Sequence, residues 1–183
     1  DGAHWQLVSK GWPDDPTITA RAISSDPNGV FAGTHNGIYR TRDAGASWAI
    51  ADSRFADQFI YSLLIDPQSP NIIYAGTATT VLRSDNSGDT WSEVSADLRS
   101  VRVWSLALAA DSSTLYAASD TGIYSSRDRG TRWLASSDGL PEGAHPQVIT
   151  VTARGLLAGT TQGLYRSKDG KTWSAVDGAL GGT

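Results

Sequence analysis

The sequence predicts an all-β chain of four similar four-stranded sheets. A repeated polar cassette, its even spacing and the short apolar runs between copies carry that prediction. Each cassette ends in tryptophan: Thr41–Trp48, Ser84–Trp91, Ser126–Trp133 and Ser167–Trp173. Successive tryptophans lie 43, 42 and 40 residues apart. A period near forty, built from short strands and turns, marks a radial or stacked array. Residues 1–5 have the form of a cassette end, and Trp5 precedes Trp48 by another 43 residues. The repeats therefore run over approximately 6–48, 49–91, 92–133 and 134–176, with 1–5 closing a preceding repeat.

Within each repeat the elements come in one order. An apolar run opens it: Ile18–Ile23, Phe59–Ile65, Val101–Leu108 and Val148–Val151. Turn residues such as Asp26–Gly29 and Asp66–Asn71 follow, where Pro fixes φ and Asn or Gly tolerates positive φ. The second strand is Val30–Gly33, Ile72–Gly76, Leu115–Ala118 or Leu156–Gly159; the third is Gly37–Arg40, Val81–Arg83, Gly122–Ser125 or Gly163–Arg166. The cassette then turns the chain into a fourth strand that begins at its tryptophan. Runs this short, β-branched and aromatic between Gly, Asn, Asp and Pro read as antiparallel strands, and no segment keeps a helical period for ten residues. The small pairs Ala32–Gly33, Ala75–Gly76, Ala117–Ala118 and Ala158–Gly159 suit sheets that converge on a crowded axis. Four strands per radial repeat make a β-propeller blade.

The cassettes, Ser/Thr-x-Asp-x-Gly-x-x-Trp, resemble the Asp-box, or bacterial neuraminidase repeat. It occurs in sialidases, sortilin-type receptors, xyloglucan-cleaving hydrolases and photosystem II assembly factors. The four copies cover essentially the whole chain. Asn86 replaces the aspartate of the second copy, and the fourth lacks one residue between Asp169 and Gly170. The family pattern implies a propeller whose boxes lie on the face away from any active site.

The residues themselves give the boxes a structural task. Asp43, Asn86, Asp128 and Asp169 are placed to accept backbone N–H groups within their own turns. Gly45, Gly88, Gly130 and Gly170 supply a conformation that a Cβ penalises. Trp48, Trp91, Trp133 and Trp173 offer large faces to pack between sheets. Asn does the same turn work as Asp, whereas a catalytic carboxylate would not survive that exchange. Arg40, Arg83 and Arg166 share one repeat position, with Ser125 in the remaining copy, so they read as parts of the blade rather than as a sialidase arginine cluster.

Composition narrows the function. Fifteen basic and nineteen acidic residues give a net charge of -4 with both signs interspersed, which disfavours a phosphate-tracking surface and nucleic acid as a partner. There is no Cys, so disulfides, thiolate metal sites and cysteine nucleophiles are excluded. His4, His35 and His145 fall at unrelated repeat positions, and no metal or cofactor is expected. No apolar run is long enough for a membrane-spanning helix. Glu occurs only as Glu93 and Glu142, and the Arg-Ile-Pro motif of sialidases is missing. Asp14, Asp15 and Asp57 are the remaining loop carboxylates for a hydrolytic pair. No catalytic residue is assigned.

Recognition is expected on the loops between blades, held by a rigid scaffold. Those loops differ from copy to copy, and they share an end of the propeller with the short loops between second and third strands. Arg54, Arg99, Arg102, Trp12, His35 and His145 are the candidate ligand-binding residues, with Phe55 and Trp104 adding aromatic surface. The expected function is a non-enzymatic module binding protein or glycan, extracytoplasmic or secreted as many relatives of the pattern are. The alternative is a fragment of a sialidase-like or xyloglucanase-like glycoside hydrolase. The chain starts within a cassette and without Met, which reads as a processed, excised or partial chain. Four wide blades make a tight ring, so an open arc is expected, its end faces met by further repeats or by a second copy.

Overall fold

The computed structural model describes residues 10–12, 20–26, 29–98 and 100–176. Sixteen strands in these residues form four sheets, each an antiparallel meander in chain order. The first blade contains β1 (Ala22–Asp26), β2 (Gly29–Thr34), β3 (Gly37–Thr41) and β4 (Ala49–Ile50). The second has β5 (Ile60–Ile65), β6 (Ile73–Thr77), β7 (Val81–Ser84) and β8 (Ser92–Glu93). In the third are β9 (Val103–Leu108), β10 (Leu115–Ser119), β11 (Gly122–Ser126) and β12 (Leu134–Ala135), and in the fourth β13 (Pro146–Thr152), β14 (Gly155–Thr160), β15 (Gly163–Ser167) and β16 (Ser174–Ala175). The fourth strands are shorter than the sequence suggests. Each has two residues and starts just after the box tryptophan, because the tryptophan is drawn between sheets. Two single 3-10 turns, Ser53–Phe55 and Ala96–Leu98, follow β4 and β8, the fourth strands of the first two blades. Residues 1–5, expected to close a preceding repeat, lie outside the described residues.

The core is divided into three layers, one between each pair of neighbouring blades. Phe31, Ile60, Ile73 and Trp91 fill the first; Tyr74, Val103, Leu115 and Trp133 the second; Tyr116, Ile149, Leu156 and Trp173 the third. Each layer holds one box tryptophan. Trp91, Trp133 and Trp173 are buried, whereas Trp48 is half-buried.

The innermost strands pack in series, β1 on β5, β5 on β9 and β9 on β13. The second-strand glycines make that approach possible. A Cβ at Gly76 would stand 2.8 Å from the Val103 carbonyl oxygen of the next blade, and one at Gly33 2.5 Å from the Ile60 side chain. At Gly159 the nearest neighbour is Val148 of its own blade, at 3.9 Å. The sheets form an unclosed arc: Ile23 of the first blade is 70% exposed and Val148 of the fourth 57%.

Candidate functional site

The two ends of each blade are built differently, and the box end repeats almost atom for atom. Thr41 Oγ1 donates to Asp43 Oδ1 at 2.7 Å and accepts the Gly45 N–H at 2.9 Å. Ser84, Ser126 and Ser167 make the same pair of bonds with Asn86 and Gly88, Asp128 and Gly130, and Asp169 and Gly170. The Ser47, Thr90 and Arg132 N–H groups donate to Asp43, Asn86 and Asp128 at 2.8, 2.9 and 2.8 Å. In the shortened fourth box Asp169 takes two N–H groups, from Lys171 and Thr172, both at 2.8 Å. Hydrogen bonds to a carboxylate favour its charged form. The Ser47 hydroxyl and N–H hold Asp43 down to about 2, and the Thr172 and Lys171 N–H groups depress Asp169 still further. Asn86 fills its place without any charge, so the boxes are turn clasps.

The opposite end carries a different device. In three of the four blades the first strand is bulged one residue after its start. In β5 the pairing shifts between Ile60 and Ser62, leaving Tyr61 outside the ladder; in β13 the shift leaves out Gln147. In β9, Val103 pairs Ser119 while Ser105 pairs Ala118, so Trp104 is the extra residue. Ala22 pairs Gly33 as Ser62 pairs Gly76, which puts Arg21 at the same repeat position in the first blade. A bulge re-aims its extra side chain and is common at binding edges. The bulge recurs in three blades, yet its side chain changes from Tyr61 to Trp104 and Gln147, and Arg21 holds the same register position in the first blade.

These side chains meet across blades. The Phe59 and Tyr61 rings stack at 4.6 Å, and Tyr61 and Trp104 contact edge-on at 4.8 Å. The Arg21 guanidinium lies over Phe59 at 4.9 Å, and that of Arg102 over Trp104 at 4.8 Å and Tyr61 at 5.6 Å. His35, from the β2–β3 loop, approaches Phe59 at 6.0 Å. Trp104 Nε1 donates to Asp120 Oδ1 at 2.6 Å, and the Asp120 carbonyl lies 2.9 Å from His145 Nδ1. The result is a half-buried aromatic strip with an arginine at each end, rimmed by two histidines and one carboxylate. Arg102 is 3.8 Å from Asp120 through Nη1, and its buried Nε has no hydrogen-bond acceptor. Buried donors are usually paired, and this one stands beside the strip.

The strip therefore gathers Arg102, His35 and His145 from among the residues singled out in the sequence. Arg54 sits elsewhere, its guanidinium engaged with Asp52 at 2.6 Å and the Trp91 carbonyl at 3.1 Å. That network ties an inter-blade loop to the next box, and Asp52 is held below the usual carboxylate range first by the Arg54 side chain. Trp12 packs edge-on against Trp48 at 5.3 Å and against Tyr39 at 5.2 Å, and Phe55 leans on the core between the first two blades. Arg99, Asp14 and Asp15 lie outside the described residues. Glu93 is exposed on β8, while Glu142 and Asp57 are exposed in loops. Phe59, Tyr61 and Arg21 read in the sequence as ordinary first-strand residues. Arg21 and Tyr61 share a position only in the sheet register, because the turns between the first and second strands differ in length. Among the described residues no three His, Cys, Asp or Glu side chains converge as a metal site, and no helix is long and apolar enough to cross a membrane.

The model of the family described as photosynthesis system II assembly factor YCF48, a BNR-repeat family, matches residues 2–180. The chain belongs to that family. Among solved structures it is similar to a GH74 xyloglucanase from Xanthomonas campestris, at 20% identity and a TM-score of 0.72, over 88% of this chain and 30% of that one. It is also similar to YCF48 from Cyanidioschyzon merolae, at 16% identity and a TM-score of 0.57, over 67% of this chain and 38% of that one. A YCF48 structure with bound D1 peptide matches at 15% identity and a TM-score of 0.64, over 88% of this chain and 53% of that one. The chain thus spans about a third to a half of these proteins, and at such identities they share its fold. No curated protein matches the sequence.

Proposed function

We propose that this chain is a binding module that takes an extended peptide segment of another protein along the strip Arg21–Phe59–Tyr61–Trp104–Arg102. The observation that carries it is the contrast at the bulge. Three of the four blades keep the bulge that turns a side chain out of the ladder, but that side chain differs each time, as recognition of an irregular ligand requires. Aromatic faces bury large areas at low entropic cost, and flanking guanidinium groups reward acidic or aromatic side chains on the ligand. The Arg102 side chain is 41% exposed, so its guanidinium can donate to a carbonyl or carboxylate of a ligand. The peptide-bound YCF48 structure supports a protein ligand over a glycan, since it shows a family member holding a peptide.

A synthetic-peptide array probed beside a glycan array tests this reading. Peptides with acidic and aromatic residues are expected to bind, and Arg102→Ala to lose about tenfold in affinity, the usual order for a charged hydrogen bond. Exclusive binding of glycans, or peptide binding untouched by Arg102→Ala and Trp104→Ala, would contradict it. The second reading, a piece of a glycoside hydrolase, draws on the xyloglucanase likeness. Turnover of a chromogenic glycoside, abolished by substituting one loop carboxylate, would support it instead.

A further inference from the structure

Blade contacts in this chain follow a matching rule. The boxes of the second, third and fourth blades seat on the preceding blade: a Cβ on Gly88 would overlap the Phe31 ring and one on Gly170 the Tyr116 ring, while Gly130 lies against Val94, just past β8. The full-length boxes carry a residue with positive φ just before that glycine, Ser87 at 55° and Arg129 at 60°. An arginine of the preceding blade holds its carbonyl. Arg40 Nη1 donates to the Ser87 carbonyl at 2.9 Å, and Arg83 Nη1 to the Arg129 carbonyl at 3.2 Å. The fourth box lacks this residue, and the third blade has Ser125 where the arginine would be. Arginine and box length therefore change together.

Two halves of the same contact are left open. On the fourth blade Arg166 occupies the arginine position, paired in register with Leu157 as Arg40 is with Phe31. Arg166 is exposed, and among the described residues it has no hydrogen-bond or ion-pair partner. Arg166, Leu157, Lys168, Trp173 and Val176 line a groove of about 650 Å³. At the other end of the arc, the box at residues 41–48 is full-length, with Ala44 at φ 56° and exposed. Its Trp48 Nε1 is buried without an acceptor, whereas the other three box tryptophans donate, Trp91 to Gly88, Trp133 to Gly130 and Trp173 to Ser136.

We propose that the outward face of the fourth blade receives the box turn 41–48 of a second copy of this chain, with Arg166 donating to the Ala44 carbonyl. The arginine rule selects a full-length box, and 41–48 is the full-length box whose seat is not already supplied by a blade described in the structure. The contact is heterologous: it closes into a ring of two copies if the rotation allows and otherwise strings copies together. It also covers the exposed apolar face around Val148 and Ile23, a kind of surface that usually marks an interaction site.

Sedimentation of the 183-residue chain tests the proposal. Association to twice the 19.4 kDa chain mass, or to longer strings, is expected. Arg166→Ser, which copies the third blade, should weaken association about tenfold, as loss of a charged hydrogen bond does. Ala46→Asp, which copies Asp89 and its ion pairs with Arg40 and Arg42 at 2.8 and 2.6 Å, should tighten association through Arg166 and Lys168. Position 46 is exposed, so that variant keeps the fold intact. A monomer at every concentration overturns the proposal, and so does association that neither variant changes.

Discussion

The box end and the bulge end of each blade use the same strands to opposite purposes. At the box end four turns repeat their hydrogen bonds to within a few tenths of an ångström, although one holds Asn86 in place of aspartate and another is a residue short. At the other end a backbone bulge recurs in three blades, while the side chain at its position changes from Arg21 to Tyr61, Trp104 and Gln147. Repetition of side chains marks what every blade needs in order to fold against its neighbour. On the proposed peptide-binding function, variation on a repeated backbone marks what one particular ligand needs.

The largest expected effect would sharpen this contrast on the structural side. Trp133→Ala removes a side chain only 5% exposed from the layer between the second and third blades. It should lower stability by about 3–5 kcal/mol, measured by chemical denaturation. A change below about 1 kcal/mol would mean that the layer is not sustained by its tryptophan. Trp104→Ala, at the other end, should cost about tenfold in peptide affinity, in keeping with the value of an aromatic or cation–π contact. The melting temperature should fall less than for Trp133→Ala, because Trp104 is only half-buried.

Acid should act on the box end first. Asp43 is held at about 2 against a usual 3.8, chiefly by the Ser47 hydroxyl, and Asp128 and Asp169 are lowered by backbone N–H donors. A depressed carboxylate adds stability above its unfolded value, and that stability is lost as pH falls through the folded value. Thermal stability should therefore be flat above pH 4 and decline between about 4 and 2. A decline centred near pH 6 would point to histidines instead. The smallest effect belongs to Asn86→Asp, which restores the family's residue in a turn already satisfied: its melting temperature should stay close to that of the parent at neutral pH and gain a little acid sensitivity.

Much of this could be read from the sequence, and the exceptions have physical causes. The strands, turns and boxes were legible because each repeat states them again, and the strand centres fall where the apolar runs do except in β1, which runs over Ala22–Asp26 and so extends past the run Ile18–Ile23. The open arc followed from the same count of repeats. The aromatic strip was only partly legible. Arg102, His35 and His145 could be picked out as loop residues, but a bulge shifts register by one residue without any composition signal, so Tyr61 and Phe59 look like strand interior. Trp12 and Arg54 looked equally available in the sequence. Only the fold reveals that Trp12 covers Trp48 and that Arg54 is committed to Asp52.

The central claim is that recognition resides at the bulge end while the boxes only hold blades together. Paired titrations test it most directly: affinity for the best peptide from the array, measured well below the melting temperature, for the parent, the double variant Arg102→Ala/Trp104→Ala, and Asp128→Ala. The account predicts that the double variant loses binding while staying folded, and that Asp128→Ala melts earlier but binds like the parent. Full-strength binding by the double variant, together with lost binding by folded Asp128→Ala, would contradict it.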